Sequence, residues 1–346
     1  MTRWVPDVLP GYWQRPIPLG PDPAGEGDIV STLVRRGAPP AAQGDRAGHA
    51  GHAVLAVHGY TDYFFQTALA DHFAGRRFAF YALDLHKCGR SRRDGQTPHF
   101  TTDLARYDAE LDQACAVIAE ETGAARVLVY GHSAGGLIVS LWLDRLRRRG
   151  ASARGRVGAL VLNSPFLDLP GPAVLRLPIT SALIAGLSRV RATGVARSPT
   201  TGGGYGTTLH RGFDGEFDYD LRWKPVGGFP VTFGWLNAAR RGHARVRRGL
   251  EVGVPSLILR SDHSVPEGGD PESMHCGDAV LDVTQIAKRA GRIGSQTTAV
   301  EVRDAKHDVF LSRPEPRRVA YQQLDLWLDH YLSADDADAS AILEKG

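Results

Sequence analysis

RVLVYGHSAGGLIVSL, residues 126–141, decides the fold. The run from Arg126 to Gly131 has an apolar interior, strand length and a terminal glycine. Such a run suits a strand buried on both faces. From Ala134 the pattern turns helical and continues to Arg149, with Gly150 standing where a helix stop is expected. Between the two lies Gly131-His132-Ser133-Ala134-Gly135, a G-x-S-x-G. The pattern gains weight because a strand enters it and a helix leaves it. A serine on so tight a turn sits in a strained backbone conformation that exposes its hydroxyl. Side chains at 131 and 135 would collide across the turn, so glycine is needed at both. Ala134 and Gly136 let the helix approach the sheet. The helix also offers unpaired N–H groups and the positive end of its dipole beside the hydroxyl. Ser133 is therefore the candidate nucleophile. The plainer reading, a Gly-rich turn with a bystander serine, has to explain away the residues described next.

The same rhythm extends on both sides. AVLAVHG (53–59), FAFYALDL (78–85), VGALVLN (157–163), PSLILRS (255–261) and TTAVEVR (297–303) are short apolar runs, and Asp28–Arg36 reads as an earlier strand. Helix-like stretches lie between them at 102–122, 134–149, 279–292 and 315–332. Strands alternating with helices predict an α/β fold: a mostly parallel central sheet with helices on both faces. The alternation fails over 168–245, where Gly, Pro and aromatics are frequent. A stretch that long needs structure of its own. The expected organisation is an N-terminal arm (1–27), a core (28–167 and 246–333), a cap inserted over the C-terminal edge of the sheet (168–245) and a C-terminal tail (334–346). Residues 37–52 read as a loop. His49 and His52 within it lack a carboxylate partner and read as exposed rather than metal-binding.

A nucleophile of this kind needs two backbone donors for the oxyanion, a base and an acid. One donor is the amide of Ala134. The other should follow an earlier strand, and the turn His58-Gly59-Tyr60 presents the amide of Tyr60. His58 ends a buried strand and precedes the serine, so it reads as structural. In chain order the acid comes next and the histidine last. His307 lies just after the strand at 297–303. His330, on the C-terminal helix, and His210 and His243, in the cap, are weaker rivals, as are His263 and His275. Two aspartates follow the strand at 255–261. Asp278 is preferred because only one helix and one strand then separate it from His307. Asp262 is the alternative. Asp308 cannot readily curl back onto its neighbour's ring.

At these residues the chain resembles the α/β-hydrolase family, through GHSAG (131–135), HGY (58–60) and Asp84-Leu85-His86-Lys87-Cys88-Gly89-Arg90-Ser91. The likeness is to its monoacylglycerol lipase, lysophospholipase and serine-aminopeptidase-like branch, and spans 52–333. Lys87 stands where that branch commonly has glycine, and 262–277 reads as an insertion. The resemblance also favours Asp278 as the acid.

Apolar residues make up 42% of the 346 and charged residues 23%, which excludes a disordered chain. The net charge of +3 and the absence of an aromatic-basic motif argue against nucleic acid as a partner. Arg145, Arg147, Arg148 and Arg149 read as a solvated helix end. Three cysteines form no disulfide framework and no zinc spacing. No run suits a signal peptide or a membrane span, so a soluble cytoplasmic protein is expected. The expected activity is hydrolysis of a small-molecule acyl ester by a serine hydrolase, with no cofactor and no metal. Peptidase, amidase or acyl-transfer chemistry uses the same groups. A non-catalytic binding module is the reading from a different class, and Ser133 contradicts a nucleophilic aspartate. The cap, from Phe166 and Leu167 to Phe233 and Trp235, is rich in apolar residues that either pack it on the core or line a pocket. Gly202, Gly203, Gly204 and Gly206 suggest a hinge or a loose loop.

Overall fold

The computed structural model describes residues 3–39, 52–123, 126–150, 157–202 and 204–343. Most of the loop expected over 37–52, His49 included, lies outside them, as does Gly203. The strands are β1 (Val5–Pro6), β2 (Tyr12–Pro21), β3 (Asp28–Arg36), β4 (His52–Val57), β5 (Ala79–Asp84), β6 (Arg126–His132), β7 (Val157–Asn163), β8 (Val195–Arg197), β9 (Val231–Thr232), β10 (Ser256–Ser261) and β11 (Thr297–Val302). Nine of them form one sheet in the order β1-β2-β3-β5-β4-β6-β7-β10-β11. From β5 to β11 the neighbours are parallel, while β1, β2 and β3 join antiparallel.

The longer helices are α1 (Thr67–Gly75), α2 (Asp108–Thr122), α3 (Ala134–Arg148), α4 (Pro178–Val190), α5 (Phe233–Arg248), α6 (Val283–Ala290) and α7 (Pro314–Leu343). Side chains alternate across each strand. In β4, Ala53, Leu55 and Val57 face one layer with α2 and α3, while Val54 and Ala56 face the other with α1 and α7. That two-sided burial explains why the inner strands read as unbroken apolar runs. β11 is different: as an edge strand it leaves Thr298, Ala299 and Glu301 exposed. The α3 arginines are partly paired, since Arg145 and Arg149 both reach Asp108.

Two boundaries differ from expectation. Residues 12–21 are a sheet strand rather than an arm, paired with β3 from Tyr12↔Arg36 to Pro21↔Asp28. Pro16, Pro18 and Pro21 hid it. They are tolerated because β1 covers β2 only at Trp13 and Gln14, leaving most of it as an edge. The backbone of 334–343 continues α7 rather than forming a tail.

The N-terminal segment also grips the turn after β5. Lys87 has φ 61° and an ammonium buried between Asp22 (2.6 Å) and Glu26 (2.7 Å). Arg90 bridges Asp7 (2.7 Å) and Asp84 (2.9 Å). A lysine in the glycine position is thus explained by the acidic partners that precede it in the chain.

The insertion between β7 and β10 contains α4, the β8–β9 pair and α5. Phe166 stacks on Trp235 at 6.1 Å, and His243 Nε2 bonds the Phe166 carbonyl at 3.0 Å. Burial pushes His243 down to about 4, and it lowers His99 and His132 below the ordinary imidazole value. An unfolded histidine titrates at about 6.5. Between the two values the unfolded chain binds protons that the folded chain refuses. This stability is therefore complete above the unfolded value and is lost as pH falls through the window. Thermal melts at pH 7.5 and pH 5 should differ by roughly 5 °C, the acidic sample melting first. His243→Gln keeps a donor for Phe166 and should narrow the gap. Identical melts for the wild type at both pH values would contradict this account.

Candidate active site

β6 delivers the chain into α3 through Ser133, which has φ 52° and ψ −119°. A non-glycine residue here is strained by about 1–3 kcal/mol and persists only where its surroundings fix it. They do: Ser133 N donates to Asn163 O at 3.0 Å, and Ser133 O accepts from Phe166 N at 2.9 Å. The glycines around it are required by close approach, with partners other than those expected. A Cβ on Gly135 would meet the carbonyl oxygens of His58 and Val57 at 2.4 and 2.5 Å. One on Gly131 would meet Gly136 Cα at 2.8 Å and Val139 Cγ2 at 2.7 Å. Positions 131 and 135 thus clear α3 and the end of β4 rather than each other.

The same contacts bring the β4 turn onto the serine. A Cβ on Gly59 would stand 3.0 Å from Ser133 Cβ. Tyr60 and Ala134 are the next residues in the chain after these two, and neither amide has a protein acceptor among the described residues. His58 accepts from Leu85 N at Nε2 (3.1 Å) and bonds Gly59 O through Nδ1 (2.8 Å), the neutral tautomer in a structural place.

His307 follows β11. Its Nδ1 lies 2.9 Å from Asp278 Oδ2, and both side chains are buried. The other Asp278 oxygen accepts from Val280 N and Leu281 N, each at 2.8 Å. The loop 262–277 closes on itself, because Asp278 N donates to His263 O (3.0 Å) and Val265 N to Asp278 O (2.9 Å). The insertion therefore returns the chain to the end of β10 and leaves Asp278 within reach of His307. Asp262 is engaged elsewhere: its Oδ1 is 2.9 Å from His263 Nδ1 and accepts from Asp304 N at 3.0 Å. The ligand atoms of Asp262, His263 and Asp304 lie within 4.8 Å of one another and could hold a metal, but this group shares no residue with the Asp278–His307 pair.

The His307 ring is 4.9 Å from that of His132, the residue before Ser133. Among the described residues no hydrogen bond joins Ser133 Oγ to His307. Such bonds are often loose before a ligand binds. Two further residues fix the loop that carries His307, and neither belongs to a motif. Asn163 Nδ2 donates to Asp308 Oδ1 at 2.6 Å, and Tyr205 Oη accepts from Asp308 N at 3.0 Å with its ring edge-on to His307 at 5.7 Å. Asn163 ends a strand recognisable in the sequence, but its polarity at a buried position was the only hint.

The inserted segment 168–245 reaches the turn after β4, where Tyr60 lies 4.2 Å from Trp235. Its apolar residues divide. Leu209, Tyr219 and Trp235 are buried, while Val174, Leu177, Ile179 and Leu183 are exposed. Gly206 is no free hinge, since a Cβ there would stand 2.2 Å from Val226 O.

The sequence profile described as "Alpha/beta hydrolase family" matches residues 54–320. A comparison with curated proteins finds no match. Among solved structures the chain is similar to a soluble variant of the monoglyceride lipase of Saccharomyces cerevisiae in complex with a substrate analogue, at 14% identity and TM-score 0.59 over 96% of this chain and 94% of that one. It is similar to the monoacylglycerol lipase of Paleococcus ferrophilus at 18% identity and TM-score 0.55, over 81% and 94%. A hydrolase described as putative, from Agrobacterium vitis, gives 17% and 0.54 over 90% and 97%.

Proposed function

The chain belongs to the alpha/beta hydrolase family, and on that premise we propose that it is a serine hydrolase cleaving a carboxylic ester through an acyl-enzyme. Ser133 Oγ attacks the ester carbonyl while His307 Nε2 takes its proton. The carbonyl oxygen becomes an oxyanion between the amides of Tyr60 and Ala134. Collapse expels the alcohol, which receives the proton from His307. Water then attacks the acyl-serine by the same route, releasing the acid and restoring Ser133. Asp278 holds the imidazole with its proton on Nδ1 and stabilises the imidazolium.

The observation that carries this reading is the buried Asp278–His307 bond beside the strained Ser133 turn. An acyl or aromatic ester is the preferred substrate class, supported by the aromatic residues Tyr60, Tyr205 and Trp235 around the site. In this reading 28–167 and 246–333 are the catalytic core and 168–245 the cap. Among the described residues no helix is long and apolar enough to cross a membrane. Free Cys88, Cys115 and Cys276 suit a reducing cytoplasm.

A fluorophosphonate probe tests the proposal. It should label the wild type at neutral pH and leave Ser133→Ala unlabelled. An unlabelled wild type would favour a binding module that keeps the fold without the chemistry.

A further inference from the structure

We propose that Lys224 is a positioning residue for the oxyanion turn, which the surrounding cap segment holds in its working shape. The inference rests on the roles given above to Ser133 and Tyr60. Four successive residues after Gly59 are each tied to one short stretch of the cap. Tyr60 Oη donates to Pro230 O at 2.6 Å. Phe229 N donates to Thr61 Oγ1 at 2.9 Å. Lys224 Nζ donates to Asp62 Oδ1 at 2.9 Å. Asp220 N donates to Tyr63 Oη at 2.7 Å. Among the described residues, 60–63 make no hydrogen bond to the sheet; the first such tether is Phe64 N to Asp84 Oδ1 at 2.8 Å.

The turn needs this support. Thr61 has φ 54°, a conformation that β-branched residues avoid. Asp62 is 1% exposed, and its Oδ2 is buried with no partner, so Lys224 is its one ion-pair partner among the described residues. A buried carboxylate without a cation is costly, so the place of Asp62 depends on a docked Lys224. The lysine is held in turn near the rings of Phe65 (5.7 Å) and Tyr219 (5.8 Å). The adjoining stretch of cap reaches the base loop. Lys306 Nζ donates to Thr208 O at 2.6 Å, and Tyr205 takes the Asp308 amide. Residues 205–230 thus connect the two sides of the site.

The Tyr60 amide stabilises charge that develops only in the transition state. Misplacing it lowers kcat and leaves ground-state binding intact. Lys224→Met keeps the stem and removes the charge. On a soluble ester it should lower kcat about 10- to 100-fold, with KM within about twofold. Tyr63→Phe removes the acceptor of the Asp220 amide without disturbing a charge. It should lower kcat about 3- to 10-fold with the same KM. If Lys224→Met does not fold, Tyr63→Phe decides alone. Unchanged kcat in a folded variant overturns the proposal, and so does a raised KM with kcat intact, which would make the tether a binding contact. Probe labelling separates the two levels. An unlabelled wild type removes the hydrolase reading and this inference with it, whereas a labelled wild type with indifferent variants removes this inference alone.

Discussion

Ser133→Ala is expected to lower ester turnover by roughly 10⁵-fold or more, the scale seen when a nucleophile acting in concert with its base is removed. The backbone supports so large an effect. Ser133 occupies φ 52° because Asn163 O and Phe166 N clamp its peptide groups, and neither contact involves the hydroxyl. Alanine can keep the clamp while losing the attacking oxygen. The variant should therefore melt within a few degrees of the wild type, and its circular dichroism should be unchanged. Steady-state assays on a chromogenic short-chain ester measure the loss. A folded variant retaining a tenth of the wild-type rate would remove Ser133 from the reaction.

Asp278→Asn should cost about 10⁴-fold in kcat, while Asp262→Asn should cost little. The reason lies in which proton the imidazole carries. Asp278 Oδ2 sits 2.9 Å from His307 Nδ1 and, as an ionised carboxylate, can only accept. Nε2 is then left bare to take the serine proton. Asparagine presents a donor as readily as an acceptor and can reverse the tautomer. The two amides on Asp278 Oδ1 would meanwhile hold the amide group in nearly the same place. Geometry is thus preserved while chemistry is lost, and the kcat ratio of the two variants measures it. Asp262 spends its oxygen on His263 and Asp304 N. A large loss from Asp262→Asn with Asp278→Asn active would transfer the acid role to Asp262.

Much of this was legible because the inner strands are buried on both faces. β4, β5, β6 and β7 have apolar residues at nearly every position, and a run so dense has few alternatives. The Ser133 turn stood out because Gly131 must clear Gly136 and Val139, a requirement local to the chain, whereas the carbonyls that Gly135 must clear belong to β4 and the residue after it. Pairing Asp278 with His307 needed more than order. The loop 262–277 looked like an obstacle, and only its backbone closure at Ser264 and Asp278 brings Asp278 back to the end of β10. β2 was illegible because its prolines are forbidden inside a sheet and permitted at an edge, and edge position is a property of the whole sheet. The ties between residues 60–63 and the cap were illegible for a similar cause. They join residues about 160 positions apart through single hydrogen bonds that leave no periodicity.

The ammonium of Lys87 has a consequence for modularity. Its counter-ions come from Asp22 and Glu26, upstream of the stretch 54–320 that matches the family. Trimming the gene to that stretch, or grafting it behind a foreign leader, would strand a cation in the interior at a cost of about 3–5 kcal/mol. The stretch that carries the family likeness is thus not a transplantable unit, and shuffling between distant relatives would have to carry the opening residues along with position 87.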